Sequence, residues 1–255
     1  MTTLSAAVWA ESLKVRKSRM LWLSILAAIF MALMIGFIMF IAANPSIAAK
    51  MGLLGTKSSI FQNVNWPSYM GLLGEMISAL GLLGFGFVAS WIFGREYADR
   101  TVKDLLALPL PRSDIVVAKL IVAALWSVLL SLVLLIGTLA VGALIGLSGG
   151  SAEIIEHGVY VYGVTALLTI LISTPVAFFA SYGRGYLPPM GFVILTLILG
   201  QFMVALGIGQ YFPWAIPGLF SVGGEPVAVA GYVLLLFTSL AGLALTFAWW
   251  RYADQ

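Results

Sequence analysis

GLSGG, residues Gly146 to Gly150, has the G-x-S-x-G spacing of a nucleophile elbow. That chemistry needs a sharp strand-to-helix turn, with a histidine and an acid supplied by the fold. Here the stretch follows a long apolar run, and the single histidine, His157, lies close by in the same connection. A helix exit made of small residues accounts for it. GLLGTKSS lacks the order of a phosphate loop, because Thr56 separates Gly55 from Lys57. The chain therefore has no route of that kind to ATP hydrolysis, and an ATPase would have to be another polypeptide. Without cysteine there is no disulfide, thiolate metal site or thiol nucleophile. No metal site is expected. Glu75, inside the apolar run GLLGEMISALGLLGFGF, is an ionisable group at membrane depth, and burying one is costly enough to suggest a role in cargo contact or conformational change. The plainer reading places its carboxylate at headgroup level.

The densest charge lies in FGREYADRTVKDLLALPLPRSD, residues Phe93 to Asp114, where eight of the chain's 23 charged residues fall between Arg95 and Asp114. No proline or glycine interrupts residues 95–108, and Glu96–Arg100 and Asp99–Lys103 have the i,i+4 acid-before-base spacing that supports a helix. Tyr97, Thr101, Leu105 and Leu108 share one face of such a helix, flanked by Val102 and Leu106. Pro109 and Pro111 stop it, and Ser113 with Asp114 reads as the start of the next helix. A polar face mixing Glu96, Asp99 and Asp104 with bases suits a protein groove better than lipid headgroups.

These residues must be held by something other than a water-soluble domain. Hydrophobic residues make up 62% of the 255 and charged residues 9%, too few to cover a soluble surface. Lipid leaves only helices or closed barrels as spanning structures, and the apolar runs are continuous rather than alternating. Six transmembrane helices are predicted, over 21–43, 70–93, 115–147, 159–182, 187–209 and 228–250, in one membrane domain covering 1–255. Eleven Lys and Arg fall on the side of the termini and only Lys50 and Lys57 on the other, which places both termini in the cytoplasm. The net charge of +3 reflects this orientation and not a nucleic-acid partner.

Residues 4–19 have the pattern of a helix lying in the membrane interface, with Leu4, Val8, Ser12 and Val15 on one face. Pro175 is expected to kink the fourth span, with Ser173 and Thr174 satisfying freed backbone, and is a hinge candidate. Residues 211–227 are apolar and rich in proline. They read as a broken hairpin re-entering the outer leaflet, with Tyr211 and Trp214 at the interface.

The basic amino-terminal segment, the six spans and GREYADRTVKDLLALPLPRSDIVVAK after the second span resemble the permease subunits of type-2 ATP-binding-cassette exporters. Among them the chain is similar to the bacitracin-transport and lantibiotic-immunity permeases. The resemblance covers the whole chain in layout, and its sequence specificity lies in residues 94–119. It implies a coupling helix that docks on an ABC ATPase subunit through Tyr97, Thr101, Val102, Leu105, Leu106 and Leu108. It also implies a second permease chain, ATP and Mg held by the partner with no cofactor in this chain, and a bacterial or archaeal cell membrane. The chain itself is then not an enzyme, and its cargo is an amphipathic peptide, antibiotic or lipid-like compound. Rival readings are an ion-coupled carrier or channel, which would need more ionisable residues at mid-membrane, and an intramembrane enzyme.

Overall fold

A computed structural model of the chain describes residues 2–44, 47, 64–107, 109–223 and 227–252. Among them the protein is all-α, with a lone bridge between Asn65 and Ser148 outside the helices. In chain order the helices are α1 (Thr3–Arg16), α2 (Arg19–Ala43), α3 (Trp66–Ala98), α4 (Val102–Leu106), α5 (Arg112–Ile145), α6 (Ala152–Ile172), α7 (Pro175–Tyr182), α8 (Leu187–Ala205), α9 (Ile216–Val222) and α10 (Val229–Tyr252). Two 3-10 turns, Gly209–Tyr211 and Pro213–Ala215, precede α9. Six helical stretches are long and apolar enough to cross a membrane: α2, α3, α5, α6 with α7, α8 and α10. The protein is a multi-pass membrane protein.

Local chemistry sets the helix ends. The side chains of Thr2, Ser18, Asn65 and Ser151 accept backbone N–H groups at the starts of α1, α2, α3 and α6, satisfying donors that have no partner within the helix. α5 starts at Arg112 behind Pro111, one residue before the expected cap at Ser113, and Asp114 does fall in its first turn. α5 ends at Gly146, whose φ of 73° lies in the left-handed region that glycine enters without steric cost. The GLSGG stretch is thus a helix exit. Its Ser148 hydroxyl donates to the Val64 carbonyl over 3.4 Å. His157 stands within α6, not in the connection before it, because the Ser151 cap starts that helix earlier than its apolar run suggests.

α3 is the axis of the fold. Of its most apolar stretch 61% is buried, against 22% for α2 and for α8, so α3 is enclosed by protein and the other two lie at the periphery. α5, α6, α7, α8 and α9 all pack on it, while α2 leans mainly on α5. One core runs through α3, α5 and α6, including Tyr69, Leu73, Phe93, Val116 and Tyr162. A smaller one joins α3, α7, α8 and α10 through Leu82, Val176, Val193 and Leu235.

The fourth span breaks at Ser173 and Thr174. Pro175 has no N–H to offer the carbonyl of Leu171, and the Thr174 hydroxyl donates to that carbonyl over 2.9 Å and to Ser239 O over 3.0 Å. α10 fits against the break at Gly242, where a Cβ would stand 2.6 Å from Pro175 Cα. In the proline-rich segment, Ile216 is fully buried and α9 packs on α3 and α6. Trp214 lies edge-on to Phe192 and near Phe212, while Tyr211 is exposed. Glu225 and Pro226, like Lys50 and Lys57, lie outside the described residues.

Candidate coupling site

The charged stretch does not form one helix over 95–108. α3 continues through Gly94 to Ala98 and then stops in a left-handed residue, Arg100, at φ 59°. Arg100 N–H donates to Tyr97 O and Thr101 N–H to Glu96 O over 2.9 Å, the paired bonds of a Schellman motif. Glycine usually occupies this position, so nothing in the residue types marked the break. After it, α4 has only five residues, Val102 to Leu106.

The break redirects the side chains. Glu96 is nearly buried and pairs with lysines from two other helices, not with Arg100. The i,i+4 pair that does form is Arg95–Asp99, at 3.1 Å. Val102 is 7% exposed and belongs to the chain's own interior. Leu105 and Leu106 are half-buried against the same core. Tyr97 meets Trp250 of α10 edge-on, and Thr101 donates its hydroxyl to Glu96 over 2.7 Å. The face expected to be apolar and free is therefore largely turned inward, and Lys103, Asp104 and Ala107 are the exposed residues of this turn. Leu108 lies outside the described residues.

Beneath α4 is a closed ring of four charges. Lys119 of α5 is fully buried, and its ammonium donates to Glu96 at 3.0 Å, Glu11 at 3.3 Å and the Ile92 carbonyl at 3.0 Å. Those three acceptors match its three protons. Lys14 of α1 donates to the other oxygen of Glu11 and to the same oxygen of Glu96, each at 2.8 Å. Two acids and two bases leave no net charge, the condition under which buried ions are tolerated. Burial pushes the Lys14 pKa down, but the carboxylates of Glu11 and Glu96 outweigh it and hold the pKa above its ordinary value. The ring ties α1 and α5 to the last turn of α3, from which α4 hangs through Thr101.

The chain matches the model of the ABC-2 family transporter proteins over residues 7–202. That is well over half of its length. The chain belongs to the ABC-2 transporter family. It is also similar to the bacitracin transport permease protein BCRB of Bacillus licheniformis, with 24% identity over 182 residues, 70% of this chain and 88% of that protein. Within the ABC-2 family, this chain is a transporter permease.

Glu11, Lys14 and Lys119 of this ABC-2 permease were not singled out as site residues in the sequence. One signal was there: Glu11 stands four residues from both Ala7 and Val15, on the stripe that α1 buries against α5. Arg112, one of the eleven basic residues on the side of the termini, donates to the Trp250 and Arg251 carbonyls over 3.2 and 3.3 Å and so caps α10.

Neither Glu75 nor Pro175 is bonded to the ring. Pro175 opens α7. Glu75 is exposed, nine residues into α3 and so roughly 13 Å along its axis from Trp66. It borders a cavity of about 390 Å³ between α3, α8 and α9, together with Ser78, Gln201 and Trp214. The Trp214 Nε1–H is buried without an acceptor among the described residues.

Proposed function

We propose that this permease is the transmembrane subunit of an ATP-driven exporter in a cell membrane, with both termini cytoplasmic. A separate ABC ATPase holds ATP and Mg, and a second permease chain completes the pathway. The observation that carries this reading is the ring of Glu11, Lys14, Glu96 and Lys119 directly beneath α4. A short helix that must transmit force needs a rigid seat. Here any displacement of α4 pulls on Glu96, and through it on α1 and α5 together.

The ATPase contact is assigned to the turn from Tyr97 to Ala107. Lys103, Asp104 and Ala107 meet the partner, and Thr101, Val102, Leu105 and Leu106 fasten the turn from within. ATP drives transport by binding the two conformations of the ATPase with different affinity, and the break at Pro175 is where the fourth span flexes. The cargo is an amphipathic peptide, antibiotic or lipid-like compound, in keeping with a relative named for bacitracin transport.

Ala107→Arg tests the contact, because Ala107 is exposed and outside the core. The tagged permease is co-expressed with an ABC ATPase that wild type retains on purification. The variant is expected to insert normally and to lose that ATPase. Retention of the ATPase with normal export would refute α4 as the coupling element.

A further inference from the structure

We propose that the cavity between α3, α8 and α9 binds the ammonium head of an amphiphile, with Glu75 as its counter-ion. The assignment deepens the transport reading, on which it rests for what happens to the ligand once bound.

Glu75 is the charged residue among those bordering the cavity, and no ion pair reaches it among the described residues. Its carboxylate is exposed, and at membrane depth such a charge is costly unless a cation joins it. A metal ion is a poor fit: calcium takes six to eight oxygens and magnesium a near-octahedral set, and no group of three or more ligating side chains occurs among the described residues. An ammonium needs three acceptors. The wall offers the Glu75 carboxylate, the Gln201 carbonyl and the Ser78 oxygen, whose own proton is committed to Glu75 O over 2.8 Å. Met76, Leu197, Val204 and Leu219 supply aliphatic wall for the tail, and 390 Å³ suits a head and the first part of a chain. Such a head could come from a free amphiphile or from an aminolipid of the membrane.

The test uses purified permease in maltoside micelles, which contain no nitrogen, with radiolabelled dodecylammonium as probe and dodecanol as its neutral counterpart. Glu75→Gln is expected to weaken dodecylammonium about tenfold and to leave dodecanol unchanged, the difference made by one charge contact of ordinary strength. Ala79→Phe, which fills the cavity, should weaken both. Added phosphatidylethanolamine that competes with the probe assigns the site to a lipid head, and absence of competition assigns it to a free amphiphile. Dodecylammonium binding that survives Glu75→Gln at full strength, or that is indifferent to Ala79→Phe, overturns the proposal. Co-purification of the ATPase, read on the same variants, is governed by α4 at the other end of α3, so its loss would concern the transport reading and not this site.

Discussion

Lys119 of α5 and Glu96 of α3 meet at 3.0 Å with the ammonium wholly out of solvent, although 23 residues and a chain reversal separate them. Such a pair adds little net stability over a well-packed apolar one, but losing one member leaves the other uncompensated.

Lys119→Met should therefore destabilise the permease by about 3–5 kcal/mol, the usual cost of breaking a buried pair. The double variant Lys119→Met with Glu96→Leu should be less damaged than the two single losses added together. It leaves Lys14 and Glu11 paired at 2.8 Å and the ring again neutral. Thermal melting of the four proteins in detergent measures this coupling, and simple additivity would mean that the two residues do not act on one another.

Lys14 sets a pH dependence. Its folded pKa is raised above its ordinary value because the two carboxylates outweigh the effect of burial. Stability from a raised pKa is fully present below the unfolded value, near 10.5, and is lost as the pH climbs through the folded one. The melting difference between wild type and Lys14→Gln is thus expected to stay level from neutral pH to about pH 10 and to shrink above that. A difference that grows with alkalinity would contradict the pairing.

Gly242 is required by closeness to backbone. A Cβ there would come within 2.6 Å of Pro175 Cα and 2.8 Å of its nitrogen, atoms that cannot swing aside. Gly242→Ala is expected to cost about 1–3 kcal/mol by overpacking. Gly84→Ala is the control, since nothing lies within 4 Å of its Cβ position and alanine favours helix. Equal melting points for the two variants would show that α10 does not depend on this fit.

Orientation is open to direct labelling because the chain has no cysteine. Ser113→Cys, on the side of the termini, should resist an impermeant maleimide in intact cells. Ala152→Cys, exposed at the start of α6, should react. Reaction at 113 alone would invert the topology.

The long helices and the spacing of the chain across the membrane were legible in the residues. Lipid leaves backbone groups no partner outside the helix, so a continuous apolar run of sufficient length can do little else. The local chemistry of Thr174 at the Pro175 break was legible for a similar reason, since donor and acceptor lie within one turn of one another. The extent of the coupling helix was not. Arg100 took a backbone conformation that favours glycine, and Glu96 turned to Lys14 and Lys119 in place of its neighbour four residues on. Whether Glu75 faced a cavity was equally hidden. These outcomes depend on how each helix is rotated about its own axis. In water an apolar stripe reports that rotation, but a span that is apolar toward both lipid and protein carries almost no such stripe. Sequence therefore determined which segments cross. The packing of α1, α5, α8 and α9 around α3 decided which charges meet and which one is left facing a cavity.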